Sequence, residues 1–502
     1  MTVIRAGTLC SLLVGAGAAP GVTQGYRLRL DTQMQAVAYR GVSFDSIAMA
    51  DTVTGPSGGL FSRDGYAVTC NANGFCTFYR PGGIVHAAPV TTTADLTLWG
   101  LGVPGLSVRA IGRAVGDLGS GDNWAGTTSH LQLLEGYAQY AAEWWTAQLG
   151  RQALETRFGL TGFDGARLAL RDSRRGLEVS GYAGWGLWQG STLPVTSPAL
   201  NPLDEFRPPE RTIIAGAGGA WSTPRLDLRV IYQREVDPST DYFVSERAGV
   251  DALVRVYRGV TVTGGADYDI AQGWWGSAEA QLAYSAPTGW LNASAGVRRY
   301  RPHFDLWTIW GAFSPVPYTA YDGSVTFKPI ARLEIGTQGE HYSYANSETA
   351  TPLVSVESSG WRFSWRATYT LTKSWIVDGG YHAEFGPGAS SRGFEGGVTY
   401  AAADRLSITA RGATLDRPLE FRFDKASLDL FGLTADYRPM SRMRIQLEAI
   451  RYAEDRTRPD AGAFTWDQLR VSGRIVLFFG GGSADRSGLP PAVRGMPERG
   501  SP

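Results

Sequence analysis

The stretch "QLRVSGRIVLFF", residues 468–479, alternates almost without exception. Leu469, Val471, Gly473, Ile475, Leu477 and Phe479 take one side; Gln468, Arg470, Ser472, Arg474, Val476 and Phe478 take the other. A period of two specifies an extended strand with one apolar and one wet face. The same pattern returns in "YRLRLDTQMQA" from Tyr26, "LDLRVIYQRE" from Leu226, "SAEAQLAY" from Ser277 and "RMRIQLEA" from Arg442. A helical period of 3.6 has no comparable stretch, and no run approaches the roughly 18 apolar residues of a membrane helix. What covers so many apolar strand faces, a protein core or lipid, decides the class of the molecule.

The spacing of the connections points to lipid. Short turns are expected at "GVPG" (102–105), "AAEW" (141–144), "DSRRG" (172–176), "STPR" (222–225), "VYRG" (256–259) and "APTG" (286–289), and onward to "RPMSR" (438–442). Between them lie longer or more variable links over 41–90, 116–128, 153–165, 189–211, 303–318 and 346–355. Short connections on one side and longer ones on the other mark an outer-membrane barrel, with periplasmic turns and extracellular loops. Aromatics gather beside the short turns: Trp99, Trp144, Trp145, Trp221, Tyr257, Tyr284, Trp290, Trp375, Tyr400 and Tyr437. Amphipathic rings in such positions form the girdle at the lipid headgroups. A second group, Trp185, Trp188, Trp274, Trp275, Tyr342, Trp361 and Tyr452, lies nearer the long links. A soluble β-sandwich explains neither placement, and it leaves edges that a closed barrel removes.

The expectation is therefore an all-β, transmembrane, antiparallel up-and-down β-barrel of about 22 strands, within a range of about 18–24, with both termini periplasmic. Residues 1–18 read as an export signal, with Arg5, an apolar "AGTLCSLLV" and a small-residue cleavage site at Ala16–Ala18. Residues 19–480 form the barrel, and 481–502, rich in Gly and Pro, read as a disordered periplasmic tail. Phe478 and Phe479 resemble the aromatic end of the C-terminal strand that such barrels present for assembly. Cys70 and Cys76 remain once Cys10 leaves with the signal, and an oxidising compartment predicts a disulfide between them.

Function is read from the inward faces. Lys+Arg and Asp+Glu both total 47, which marks no nucleic-acid partner. Arg229 with Glu235, Arg442 and Arg444 with Glu448, and Arg470 and Arg474 beside Gln468 are the expected pore-lining residues. Polar inward residues make a water-filled passage whose charges set its ion preference. The near balance of carboxylates predicts weak selectivity, with a local anion-favouring stripe at 442–444 and 470–474. The alternative for each pair is mutual satisfaction across neighbouring strands.

"WTAQLGRQALETRFGLTGFDGARLALR", Trp145 to Arg171, resembles a stretch of bacterial porins, particularly the alginate-export type. The matching residues are Gly150, Arg151 and Gln152, then Phe163, Asp164, Gly165, Ala166 and Arg167. The resemblance implies a strand, a loop and the next strand, with the charged residues near or within the pore. Read from the residues alone, the stretch is equally a hairpin in which Gly165 permits a tight turn and Arg151 pairs with Asp164.

Barrels of 22 strands normally have a filled lumen. Residues 41–90, the longest link, are one candidate to fold inward and constrict the pore, and the other filling is a separate protein threaded through the barrel. The expected partners are thus outer-membrane lipids, small hydrophilic solutes diffusing passively through the channel, or, alternatively, a periplasmic protein such as a multi-haem electron carrier held in a barrel sleeve. Catalysis is not expected. The five histidines (His86, His130, His303, His341 and His382) stand singly, without a nucleophile constellation or metal spacing. No cofactor and no metal is predicted.

Overall fold

Period-two segments longer than ten residues, separated by turn residues, leave each backbone one route to satisfy its polar groups without water, which is pairing on both sides in a closed sheet. The computed structural model describes residues 25–482 except 56–57, 120–129, 188–210, 239–242, 302–316, 346–358, 387–388, 403–404, 417–424 and 458–465. It is a closed antiparallel barrel of 22 strands. The first wall strand is Gly25–Ala48, the second Pro89–Trp99, and each later strand pairs with its sequence neighbour as far as Trp466–Gly482. The ring closes where Gly25–Val37 runs antiparallel to Gly482–Arg470, with Asp31 opposite Val476 and Gln33 opposite Arg474.

The alternation sorts the faces. Leu469, Val471 and Ile475 of the last strand are exposed outward, as are Leu447, Val179, Leu149 and Phe431 on others. Gln468 and Val476, on the opposite face, are buried. Trp144, Trp221, Tyr257, Tyr284, Trp290, Trp375 and Tyr437 of the turn-side group are all exposed, as a girdle requires. The second group divides. Trp185, Trp275 and Trp361 are exposed. Tyr342 instead shares the inner face with Glu340 and is buried, its hydroxyl donating to Glu384 at 3.0 Å, and Tyr452 faces Arg470. Trp188 lies outside the described residues.

Two of the expected long links are strand. In 41–90, the first strand continues to Ala48 and returns through Phe75–Ala87, with Val37 opposite Ala87 and Ala48 opposite Phe75. This two-stranded ribbon prolongs the wall beyond Val37, where pairing with the last strand ends. Its far end carries a short pair, Val53–Thr54 with Leu60–Phe61, and the Cys70–Cys76 disulfide, S–S 2.00 Å. In 153–165, Trp145–Thr156 and Gly159–Asp172 are joined by only Arg157 and Phe158, so the expected loop is a tight hairpin. The chain is extended through Gly482, two residues past the expected end of the barrel. The expected signal at 1–18, most of the tail, and the links 189–211, 303–318 and 346–355 fall wholly or nearly so outside the described residues.

Candidate functional site

The hairpin Trp145–Asp172 belongs to the wall only in part. Trp145–Thr156 pairs with His130–Ala141 from Ala141 opposite Thr146 to Gly136 opposite Arg151. On its other side Gly159–Asp172 pairs with Leu177–Gly186 no further than Phe163 opposite Gly186. Past those points residues 152–162 pair with one another. The departure occurs at Gly150, whose φ of 129° is open to glycine, and where a Cβ would fall 2.3 Å from the Gly136 carbonyl oxygen.

Beyond it the hairpin lies across the inner face of the wall. Phe163 is fully buried and stacks on Tyr182 at 5.2 Å, with Ile214 and Leu154 completing an apolar patch. The Thr161 hydroxyl reaches Gln233 at 3.2 Å, and Tyr182 donates to the same Gln233 oxygen at 2.9 Å. The tip reaches Phe243–Tyr257, Val260–Asp269 and Trp274–Ser285, four to six strands further round the ring. The Arg247 guanidinium lies 4.6 Å above the Phe158 ring.

Arg157 is the anchor. Its side chain is 7% exposed and enters a seat of three carboxylates. Its Nη1 donates to Asp251 and, at 3.2 Å, to Glu279, and its Nη2 donates to the Ser277 hydroxyl at 2.8 Å. Nε stands 3.4 Å from Asp267, whose carboxylate also accepts from the Ser277 backbone N–H at 3.1 Å. Gly265 forms the floor: a Cβ there would fall 2.1 Å from Arg157 Nη1. Gly249 leaves room for the Phe158 ring in the same way, at 3.1 Å. Burial works against the charged guanidinium, and the carboxylates of Asp251, Glu279 and Asp267 around it offset that cost.

The porin-like motif stands at the root of this hairpin, and its residues separate. Arg151 holds Asp164 through Nε at 2.7 Å and Nη2 at 2.9 Å, the local pairing that the residues themselves suggested. Its Nη1 caps the Leu133 carbonyl at 2.8 Å, and Arg211 joins Asp164 at 2.8 Å. By alternation this cluster shares the outer face with Leu149 and Leu168, so Arg151 and Asp164 clamp the root and do not line the pore. Gln152 and Arg167 face inward, Gln152 donating to the Gly165 carbonyl at 3.0 Å. Gly165 is needed for close approach: a Cβ would meet the Ala183 carbonyl oxygen at 2.1 Å.

The expected lining residues sit on the inner face with one exception. Arg229 lies opposite Asp251, and Glu235 accepts from Thr212 at 2.5 Å. Arg444 binds Asp436 at 2.6 Å, Glu448 accepts from Arg411 at 3.0 Å, and Arg474 grips Asp31 at 2.8 and 2.6 Å. Arg470 lies 5.7 Å from the Tyr452 ring. Arg442 is in the turn between Met440 and Met443, so it marks the rim. A second network escaped the sequence reading: Glu340 accepts from Arg298 at 2.5 Å and Arg362 at 2.9 Å, and Arg362 also reaches Glu384 at 2.9 Å. Near Arg298, the inner wall around Arg229, Asp251, Glu279 and Asp322 bounds a hollow of about 770 Å³. Among the described residues, no group of three or more His, Cys, Asp or Glu is placed to hold a metal.

A closed ring with an apolar, aromatic-girdled outside and a charged inside is a transmembrane β-barrel of the bacterial outer membrane. No protein-family model and no curated protein matches the chain. Solved structures similar to it include the porin OccAB1 of Acinetobacter baumannii, at 9% identity over 92% of this chain and 98% of that one, TM-score 0.41. Others are the siderophore receptor PirA of Pseudomonas aeruginosa (11%, 90% and 80%, 0.43) and the copper transporter OprC (12%, 90% and 81%, 0.46). At these values the likenesses assign no substrate.

Proposed function

We propose that this protein is a channel through which small hydrophilic solutes diffuse passively across the outer membrane, with both ends of the wall and the short turns on the periplasmic side. The observation that carries this reading is the hairpin 152–162, laid over a charged inner wall and tethered at its tip by Arg157. It narrows a ring that would otherwise be wide for a diffusion pore. The paired guanidiniums and carboxylates keep the passage wet without giving it one strong sign of charge. A threaded partner protein would need the cross-section that the hairpin takes, so the solute reading is preferred to the sleeve.

Single-channel recording of the refolded barrel in a planar bilayer tests this. The wild type is expected to give small, discrete steps proportional to salt. A barrel in which residues 153–162 are replaced by Gly-Gly is expected to conduct at least severalfold more. Equal conductance of the two would overturn the constriction, and a closed wild type would overturn the channel.

A further inference from the structure

We infer that the short-turn mouth of the barrel holds a site for solutes bearing a phosphoryl group, built from Arg29, Arg405, Arg438, Arg444 and Arg474. This rests on the channel reading and names a class of solute that the passage takes up at that end.

The five arginines come from successive segments of the wall, from the turn before Leu406–Asp416, across the seam where the ring closes, to Gly25–Ala48. They line a hollow of about 540 Å³ whose apolar part includes Met440, Val476 and Phe478. Two carboxylates serve them. Asp31 accepts from Arg29 at 2.7 Å and from Arg474 at 2.6 Å; Asp436 accepts from Arg444 at 2.6 Å, with Arg438 Nε 3.7 Å away. Both carboxylates are only 16% exposed, whereas the four guanidiniums around them are 41–45% exposed. An arriving solute therefore meets cations first. Arg405 has no side-chain hydrogen bond or ion pair among the described residues. The carboxylates nearby are engaged elsewhere: Asp95, opposite Arg29, by Arg109 at 3.3 Å, and Glu448 by Arg411 at 3.0 Å. Even with Asp404 counted, which lies outside the described residues, five guanidiniums face three carboxylates. Each guanidinium carries five N–H donors, so pairing with one carboxylate leaves others for an oxyanion. Converging from several directions, they suit a tetrahedral phosphoryl group, whose oxygens point several ways, better than a planar carboxylate. Met440, Val476 and Phe478 offer the rest of the solute an apolar surface.

The test uses the full chain refolded in detergent. Phenyl phosphate is the probe, against phthalate, a dianion with the same ring but planar carboxylates, at equal ionic strength. Calorimetry is expected to show phenyl phosphate binding at least tenfold more tightly than phthalate, and Arg405→Gln with Arg438→Gln is expected to weaken it at least tenfold. That variant leaves the Asp31–Arg474 pair across the seam untouched; should it still not fold, Arg405→Gln alone is expected to weaken binding at least threefold. Arg362→Gln with Arg366→Gln removes the same charge from the inner wall outside the hollow and should change binding by less than about twofold. Phthalate binding as tightly as phenyl phosphate would overturn the phosphoryl site. Equal losses in the two double variants would also overturn it, leaving a diffuse ion atmosphere only. In single-channel recording, phenyl phosphate is expected to lower the wild-type current and to spare that of the Arg405→Gln, Arg438→Gln variant. A wild type that binds the probe yet passes no current would sink the channel reading and leave the site standing.

Discussion

Arg157 and Gly265 act as a lock and its clearance, and they are separable by substitution. Gly265→Ala keeps every charge yet places a methyl 2.1 Å from Nη1. It is expected to evict the guanidinium and raise single-channel conductance in the same direction as Arg157→Ala; a conductance identical to wild type would mean that the tip is held by Phe158 and Phe163 instead. Asp31 and Arg474 make a different kind of pair. They bind bidentately across the closing strands, but Arg474 is 42% exposed to the lumen. Asp31→Asn is therefore expected to lower stability by about 1 kcal/mol or less, read from the urea midpoint of the barrel in vesicles. A much larger loss would show that closure depends on that pair.

At the scale of elements, the two hairpins that exceed the wall behave differently because one finds a surface and the other extends itself. The ribbon of Val37–Ala48 and Phe75–Ala87 has Phe44, Tyr79, Ile84 and Phe75 exposed, while Phe78 stacks with Tyr66 at 5.9 Å near the disulfide. Isolated two-stranded ribbons are marginal in water. Closing a loop of this size with a disulfide is worth about 2 kcal/mol in the loop-entropy account. Reduction of Cys70–Cys76 is expected to make the ribbon end protease-sensitive while the barrel still migrates as a folded species; an unchanged cleavage pattern would refute a role for the crosslink there. The strands, the turn-side girdle and the Arg151–Asp164 pair were legible because period, turn chemistry and cross-strand pairing are local. The fate of the two hairpins was not. Arg157 meets Asp251 across 94 residues, and "ETRFG" reads as an ordinary link because its only local feature is a polar turn. Gly249 and Gly265 were the accessible signal, but among 64 glycines they resemble any other strand glycine until the partner is known.

For the whole molecule, lipid and lumen impose opposite rules on neighbouring residues. Ile475 faces outward in the body of the last strand, one position from inward-facing Arg474. Ile475→Arg is expected to destabilise the barrel by about 2–4 kcal/mol if it sits near the midplane, measured by urea titration in vesicles, whereas Ser472→Arg on the inner face should be far milder. Equal costs would contradict the assignment of faces. The first strand also has an implication for how the ring is made. It meets its last partner only after the whole chain is available, since Asp31 and Arg474 are 443 residues apart. Yet along its full length it is already aligned with Phe75–Trp99, through the ribbon and then the wall. The strand that must wait longest is thus held straight by its own hairpin, and sealing the cylinder becomes a single zippering step onto a prepared edge rather than a search by a loose end.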